Sequence, residues 1–430
     1  MEESGSDLWE SARKMKGLGD ERVATLEKLI GFNPHHARAK SLLAIILANR
    51  NAVANRSRSL ELARDAISLR PDDATLRIAL ARLLGEGEGE TLEEKMLALE
   101  SALEIDQTNL EAAVMYLTSS KNCDEVTYEN IKNIITDKDV NRHYELGGYF
   151  RRRDKERCKY HYGVVVRVME GVIADTGRDV KGLHSKAKFW LATVEKGGEG
   201  AVERCPKEYV VGLYKGFAPT FDHTLVEKLH YKTPQLLLDT LMAAAEGVGP
   251  EGDSDGDGGK KYSSILDLGC GTGLSGLRFK GLLGEEGSFL GVDLSPEMLV
   301  KANERGCYDE CLCHDIETCF NIEGVRARAP FDLVIACDVF VYLGNLENIF
   351  QGVKGSLGVN GVFCFSVELL EEEKGGKYNY ICQTFARFSH KQEYIVQLAA
   401  EYGFEVVEMR KCVLRKNAGV DVVGLLTILK

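Results

Sequence analysis

The spacing of apolar residues changes along this chain, and the change predicts two kinds of structure. Up to about residue 120 the apolar residues recur every three or four positions, as in helices that bury one face. Residues 121–205 have a less regular pattern that is also predicted to be mostly helical. From residue 206, short apolar runs typical of strands alternate with helical segments, which favours an α/β fold with a parallel sheet. We therefore predict three parts, residues 1–120, 121–205 and 206–430.

The first helical part contains an internal repeat. Similar stretches begin near residues 26, 62 and 99, and each pairs a helix with a turn and a second helix. The equivalent turn residues Pro34, Pro71 and Gln107 are 37 and 36 residues apart, close to the period of tetratricopeptide repeats. Because a helix pair cannot bury its apolar face alone, about three pairs would stack into a short all-α solenoid. Such a solenoid would bind a protein partner in its groove, or would simply shield the rest of the chain.

The amino-acid composition indicates the cellular location of the protein and the kinds of partner it binds. A net charge of −12 and a pI of about 5.4 give no general attraction to nucleic acid or to an anionic membrane. The basic stretch at residues 151–153 is better explained as a solvated face than as an RNA site. The acidic start is unlike a signal peptide, and no apolar run approaches the about 20 residues of a spanning helix. Twelve scattered cysteines fit reduced thiols. We expect a cytoplasmic location, without a membrane or a nucleic acid partner.

A glycine-rich turn follows a predicted strand at residues 263–268 and precedes a predicted helix at residues 274–283. Glycine at such a turn allows a tight bend and a close approach of the backbone to a ligand. Asp293 ends the next predicted strand, where a carboxylate can accept both hydroxyls of a ribose. Together these features predict a nucleotide site on a doubly wound sheet. The residues of the turn that we assign to it are Asp267, Gly269, Cys270, Gly271 and Gly273.

The same glycine run fits two families of nucleotide-binding proteins. Residues 271–276 match the pattern of NAD and FAD proteins, whereas the stretch that begins at Asp267 resembles motif I of class I S-adenosylmethionine-dependent methyltransferases. An acid is favourable beside a sulfonium and an ammonium, and repulsive beside a diphosphate. Asp315 follows a third strand, where the methyltransferases place an acid near the adenine amine, and Asp338 ends a fourth strand. We therefore favour S-adenosylmethionine. The apolar residues expected around its adenine are Leu294, Met298 and Ile316.

The last 240 residues or so resemble a more particular family, the methyltransferases that carry tetratricopeptide repeats. The segments that carry the resemblance are residues 189–192, 209–226, 229–234, 336–344 and 386–390, together with the glycine turn. Lys215 and Phe217 depart from the family pattern. The resemblance implies a seven-stranded Rossmann-like methyltransferase domain that closes in an antiparallel hairpin, with the helical solenoid before it. It implies S-adenosylmethionine as the donor and a small-molecule acceptor of unassigned identity.

Several side chains are candidates for the acceptor side of the site. Asp338, Tyr342 and His390 are candidate catalytic residues, with His390 as a possible base at a helix start. Arg387 could bind an acidic substrate. Three residues of a segment that closes over the donor in this fold, Tyr214, Phe221 and His223, would contact substrate or only pack the lid. Two alternatives stay open: a protein methyltransferase that recruits its target through the repeats, and a donor-binding scaffold without turnover.

Two stretches partly match metal-binding sequence patterns, but we do not favour a metal site at either. Residues 253–258 match the opening of a calcium-binding loop, but Lys260 and Ser264 do not fit its later positions. Four cysteines between residues 307 and 319 lack paired C-x-x-C spacing. We therefore expect no bound metal.

Overall fold

The structure is a computed structural model of the whole chain. It describes residues 5–430 apart from residues 16, 18, 51, 86–89, 121–124, 197–201, 247–261, 372–375, 384 and 418. The acidic, glycine-rich stretch at residues 247–259, which includes the calcium-like sequence, lies outside the described residues. The chain divides into two compact units, Met1–Val168 and Met169–Lys430. The predicted part boundaries at residues 120 and 205 stay predictions.

Within its described residues, the first unit is built from helices. These helices are α1 (Gly5–Lys14), α2 (Asp20–Phe32), α3 (Ala37–Arg50), α4 (Ala52–Leu69), α5 (Ala74–Leu84), α6 (Glu90–Ile105), α7 (Leu110–Ser119), α8 (Glu125–Ile134), α9 (Val140–Phe150) and the first part of α10 (Lys155–Thr176), which continues past the boundary at Val168. An all-helical N-terminal region is therefore confirmed, while its assignment to tetratricopeptide repeats stays a prediction. No helix in the described part of the chain has the length and hydropathy needed to cross a bilayer.

The predicted turns coincide with helix starts for a local reason. The carboxylate of Asp73 accepts a hydrogen bond from the backbone N–H of Thr75, and Asn109 accepts one from Ala112, which satisfies donors at the first turns of α5 and α7. Consecutive helices then pack as neighbours, α3 on α4 and α5 on α6. Their interfaces are rich in alanine, and small side chains let two helix axes approach closely. The buried alanines of one interface cluster are Ala44, Ala63, Ala74, Ala81, Ala98, Ala102 and Ala112.

The second unit alternates strands and helices. Its helices are α11 (Leu183–Lys196), α12 (Lys207–Phe217), α13 (Phe221–His223), α14 (Thr233–Glu246), α15 (Leu274–Phe279), α16 (Pro296–Arg305), α17 (Glu323–Arg326), α18 (Glu347–Ser356) and α19 (Gln392–Glu401), with a π-helical turn at Thr224–Lys228. Its strands are β1 (Tyr262–Leu268), β2 (Leu283–Asp293), β3 (Glu310–Cys313), β4 (Phe331–Ala336), β5 (Leu357–Leu369), β6 (Tyr380–Cys382), β7 (Phe388–His390), β8 (Val406–Asn417) and β9 (Val420–Leu429).

One sheet contains all the strands of this unit. β3, β2, β1, β4 and β5 are adjacent and parallel, and β9 pairs with β5 antiparallel and carries β8 on its other edge. The Rossmann-like sheet with its closing hairpin is therefore confirmed. The predicted number of seven strands is wrong, because the sheet has nine. β5 extends beyond the end of β4, and Glu368 on this extension pairs with β9 on one side and with β7 on the other, so the short hairpin β6–β7 completes that edge.

The strand order brings the carboxyl ends of several parallel strands together at one edge of the sheet. Alternate residues of β1 face opposite cores: Leu266 packs with the strands and helices on one face, and Ile265 packs with α14 and α15 on the other. β1, β2 and β4 are parallel, so their carboxyl ends meet at one edge. The residues that follow these ends include Gly269 and Asp338, and Asp293 is the last residue of β2.

Candidate active site

A cavity of about 320 Å³ opens at this edge of the sheet. Its walls come from the turns after β1, β2, β3 and β4 and from a stretch before the sheet, residues 207–231, which we call the lid segment. The predicted site residues on its walls are Tyr214, Phe221, Gly269, Cys270, Gly271, Asp293, Leu294, Met298, Asp315, Ile316, Asp338, Tyr342 and Arg387. Those not on its walls are His223, Asp267, Gly273 and His390. Wall residues that we did not predict include Arg204, Tyr231, Thr272, Val339 and Arg415.

The glycine turn has a conformation that other residues rarely adopt. Gly269, Gly271 and Gly273 have φ angles of 74°, 54° and 88°. A Cβ atom on Gly269 would also lie 2.3 Å from Cγ2 of Val339, so a side chain does not fit there. The backbone at Gly269 and Gly271 therefore forms the cavity wall directly. Gly273 does not line the cavity, and instead stands at the N-terminal boundary of α15.

Asp293 is held at the cavity by two backbone groups. Its Oδ2 accepts a hydrogen bond from the N–H of Gly271 at 2.9 Å, and its Oδ1 accepts one from the N–H of Ser295 at 2.8 Å. The backbone of Leu294 also contributes a hydrogen bond, and since a carboxylate has about four acceptor positions, Asp293 can still accept from a further donor. Burial raises the pKa of Asp293, against the effect of these hydrogen bonds. The arrangement suits a ligand that presents two neighbouring hydroxyl groups.

Asp315 links the cavity wall to the chain that enters the lid segment. Its Oδ2 lies 2.9 Å from Nη1 of Arg204 and 2.7 Å from Nζ of Lys207. Burial acts to raise the pKa of Asp315, but the hydrogen bond from Lys207 and the charge of Arg204 outweigh it and hold the pKa below its usual value. The carboxylate of Asp315 is therefore charged, and it is paired with two cationic side chains. Its contact with an adenine amine stays a prediction, and Ile316 beside it supplies apolar surface to the same wall.

Asp267 is buried away from the cavity walls. Its Oδ2 accepts hydrogen bonds from Oγ of Ser275 at 2.5 Å and from the hydroxyl of Tyr308 at 2.7 Å, while its Oδ1 has no described partner. Burial is the main cause that raises the pKa of Asp267 to about 7. The structure thus places this acid behind the turn, where it contacts α15 and Tyr308. It does not place it beside the methionine part of a donor, as we had predicted from its spacing.

The other end of the cavity is polar. We call the six residues Tyr214, Tyr231, Asp338, Tyr342, Arg387 and Arg415 the polar wall. Asp338 has a φ of 52°, and this strained residue is held by several bonds. Its Oδ1 accepts from Oγ of Ser366 at 3.2 Å, and its Oδ2 accepts from Thr233 and from Nη1 of Arg415, both at 3.1 Å. The carboxylate of Asp338 is therefore fixed by its neighbours.

Two tyrosines of the polar wall join the lid segment to the body of the unit. The hydroxyl oxygens of Tyr214 and Tyr342 are 2.9 Å apart, and their rings meet edge to face with centroids 5.9 Å apart. Burial raises the pKa of both hydroxyls, so both stay protonated at neutral pH. The positive charge of Arg387 opposes this increase at both residues, which shows that its guanidinium lies near the pair.

The two histidines that we predicted as site residues are elsewhere. His390 is the last residue of β7, which the sequence did not predict as a strand, and its side chain is buried. Its Nε2 lies 3.1 Å from the carbonyl oxygen of Gly344, and burial lowers its pKa to about 4. It therefore packs under the loop after β4 and does not face the cavity. His223 is exposed on the lid segment.

Asp222, which we did not predict as a site residue, connects the lid segment to Thr272 and Arg305. Oδ1 of Asp222 accepts a hydrogen bond from Oγ1 of Thr272 at 2.5 Å, and its Oδ2 lies 2.5 Å from Nη2 of Arg305. One contact is with the glycine turn and the other is with α16, so a single carboxylate joins the lid segment to two elements that contribute to the cavity wall. In the sequence, this residue could have been found from its position next to Phe221, which we had predicted as a site residue.

Comparisons with known proteins agree with this geometry. Residues 266–363 match a family described as "Methyltransferase domain". The chain is 30% identical over 145 residues to the 18S rRNA (guanine(1575)-N(7))-methyltransferase of Saccharomyces cerevisiae, which is 33% of this chain and 47% of that protein. It is 30% identical over 126 residues to the malonyl-[acyl-carrier protein] O-methyltransferase of Magnetococcus marinus, which is 28% of this chain and 43% of that protein. The chain therefore spans less than half the length of these relatives.

A solved structure of an S-adenosylmethionine-dependent methyltransferase from Clostridium acetobutylicum is also similar, at 18% identity and a TM-score of 0.36, over 51% of this chain and 98% of that one. The family match and the relatives confirm the predicted class: the chain carries a methyltransferase domain of the kind that uses S-adenosylmethionine.

One prediction about partners is wrong. We expected no nucleic acid partner, but relatives from Saccharomyces cerevisiae, Bos taurus and Mus musculus are named as 18S rRNA methyltransferases. The net charge of −12 on which that expectation depended is a sum over the whole chain, and it does not report the local charge around a site. The cytoplasmic location stays a prediction.

Proposed function

We propose that this protein transfers a methyl group from S-adenosylmethionine to an acceptor that binds against the polar wall. The observation that carries the proposal is that one cavity joins Asp293 and the glycine turn, which suit the donor, to a second wall of tyrosine and arginine side chains. When bound, S-adenosylmethionine supplies an electrophilic methyl group on its sulfonium. The work of the chain is then to hold the two reactants in line, since orientation alone contributes much of the rate in such a displacement.

The donor end of the cavity fits a nucleoside. The two oxygens of Asp293 would accept the ribose hydroxyls while they keep their bonds to Gly271 and Ser295. Leu294, Met298 and Ile316 would provide the apolar surface for the adenine ring. The bare backbone at Gly269 and Gly271 would allow the methionine part to lie against the turn.

We favour a small-molecule acceptor, because the polar wall is an internal surface that the lid segment covers. Tyr214 is on the lid segment and contacts Tyr342 across the cavity, so a large acceptor would have to displace this pair. A second candidate is a base of RNA, and it is supported by the relatives that are named as rRNA methyltransferases. An RNA acceptor would need the lid segment to open far enough to admit a flipped base.

Calorimetric titration of the full chain with S-adenosylmethionine and S-adenosylhomocysteine tests the donor. We expect saturable binding of both compounds and none of NADH. Asp293→Ala should weaken binding at least tenfold, because the variant loses both acceptor oxygens. Asp421→Ala, which changes an exposed carboxylate of the β9 strand, is the matched control and should bind as the original chain does. Folded protein that binds neither compound would refute the proposal.

Transfer of a tritiated methyl group then separates the two acceptor candidates. The chain and labelled donor would be incubated with a total small-metabolite extract or with total RNA, each treated beforehand to remove the other. Label that appears only in the small-molecule fraction supports the favoured acceptor class. Label in intact RNA, lost after nuclease treatment of the substrate, would instead establish the second candidate.

A further inference from the structure

The polar wall contains two guanidinium groups and three tyrosine hydroxyls, all of which carry hydrogen-bond donors. A guanidinium carries five N–H donors. Among the described residues, the acceptor recorded for the side chain of Arg387 is Oε1 of Glu368, at a long 3.4 Å from its Nη1. Arg387 lines the cavity, and its side chain keeps 28% of its surface accessible.

Glu368 does not neutralise Arg387 by itself. The same carboxylate oxygen forms a closer contact with Nη2 of Arg415, whose Nη1 in turn bonds to Asp338. Arg415 is nearly inaccessible and is held between the two carboxylates, whereas Arg387 shares one of them at longer range. The two arginines therefore differ: Arg415 belongs to a buried ion network in which both of its Nη atoms have a carboxylate partner, and Arg387 has N–H donors left for a ligand.

The tyrosines add to this excess of donors. Between Tyr214 and Tyr342, one hydroxyl donates to the other, so one O–H of the pair is left to donate to a third group. The carboxylate on the same wall, Asp338, already accepts from Ser366, Thr233 and Arg415. A ligand that supplies acceptor oxygens and negative charge would complete this wall, whereas an amine or a cation would face the guanidinium of Arg387.

We propose that the methyl acceptor is a small carboxylic acid, and that Arg387 and the Tyr214–Tyr342 pair bind the carboxylate that becomes methylated. The inference rests on the proposed function and narrows its acceptor class. The apolar part of the acid would pack on the aromatic side chains of the lid segment, where the rings of Phe217 and Phe221 meet with centroids 5.5 Å apart.

The chemistry agrees with the residues present. A carboxylate oxygen attacks the methyl carbon, a C–O bond forms, and the C–S bond breaks with its electron pair passing to sulfur. The products are a methyl ester and S-adenosylhomocysteine, and no proton is transferred. A general base is therefore unnecessary, which fits a site from which His390 is absent and in which Asp338 already accepts three hydrogen bonds. The guanidinium would orient the carboxylate through one oxygen and leave a lone pair of the other for attack.

The test is ligand binding to the full chain saturated with S-adenosylhomocysteine. The probes are benzoate, phenylacetate, hexanoate and malonate, each paired with its uncharged amide. We expect at least one acid to bind ten times or more tighter than its amide. Arg387→Gln should remove this preference, and Arg387→Lys should retain part of it because the charge is kept. Arg410→Gln, at an exposed position on β8, is the control and should leave the preference intact.

Product chemistry provides a second readout. With tritiated donor, an acid that binds should yield label that mild alkali releases as volatile methanol, which is the behaviour of a methyl ester and not of an N-methyl group. Equal binding of acids and amides, or no binding of any acid to a chain that binds S-adenosylhomocysteine, would overturn the inference and leave the proposed function standing. Failure to bind S-adenosylhomocysteine would refute both.

Discussion

The buried acid Asp267 should make the stability of the second unit depend on pH, and Asp267→Asn should remove that dependence. The native state raises the pKa of Asp267 to about 7, mainly through burial, whereas the unfolded chain has the ordinary value near 3.9. Between these two values the native state holds a proton that the unfolded state has lost. The free energy of unfolding therefore falls as pH rises from about 4 to about 7, and the stabilising contribution of this proton is fully present only below that range.

The size of the effect follows from the same two values. At about 1.36 kcal/mol per pH unit, an interval of about three units corresponds to about 4 kcal/mol as an upper limit. An amide at residue 267 carries no charge at any pH. It can still accept from Ser275 and Tyr308 through its oxygen, as the carboxylate does now. We therefore expect the variant and the original chain to be similarly stable at pH 4, and the variant to be more stable at pH 8 by about 2 to 4 kcal/mol.

Tryptophan fluorescence can report this unit alone. The chain has two tryptophans, and Trp9→Phe leaves Trp190, which is 2% accessible and belongs to the second unit. Urea unfolding in that background at pH 4, 6 and 8, with and without Asp267→Asn, gives the difference directly. Tyr308→Phe removes one donor to the carboxylate and should strengthen the pH dependence. A stability difference between variant and original chain that stays constant from pH 4 to 8 would refute the reasoning.

Three further predictions concern the turn, the lid segment and the helical unit. Gly269→Ala should cost about 1 to 2 kcal/mol in backbone strain alone and abolish titratable binding of S-adenosylhomocysteine, whereas Gly355→Ala, in helix α18 where a Cβ meets open space, should leave binding unchanged and not destabilise the unit. Asp222→Asn should speed dissociation of S-adenosylhomocysteine several-fold in stopped-flow measurements, because the lid loses its ion pair with α16; an unchanged rate would contradict this. Asn109→Ala should destabilise the first unit by about 1 kcal/mol, because the N-terminus of α7 loses its capping side chain. Urea unfolding of this unit can be measured by the fluorescence of Trp9 in a chain that also carries Trp190→Phe.

The glycine turn and the strand end beside it could be predicted because their residues are close in sequence and their geometry follows from local rules. A strand, three glycines and a helix define the turn, and the last residue of the next parallel strand must lie beside it. Gly269, Gly271 and Asp293 therefore line the cavity as expected. The exception is Asp267, because side chains of a strand alternate between faces and this one points into the core below α15.

The polar wall could not be predicted as a whole, because strand irregularities decide which side chains reach it. The pairing of β8 with β9 shifts register between Val413 and Arg415, and a bulge of this kind turns a side chain away from the face that simple alternation assigns. Arg415 becomes buried in that way. His390 does not line the cavity because residues 388–390 form a short strand that pairs with the end of β5. We had predicted that this residue begins a helix.

The acceptor class therefore depends on contacts between parts of the chain that are far apart in sequence. Tyr214 meets Tyr342 across 128 residues, and Arg415 meets Asp338 across 77. Arg387 was predicted to bind an acidic substrate from its residue type alone, and that role stays a prediction. The hydrogen bond from Arg387 to Glu368 is long, because Arg415 forms the closer contact with the same carboxylate oxygen. A change that frees Glu368, such as Arg415→Met, should consequently weaken acid binding at Arg387 by giving that guanidinium a full partner of its own.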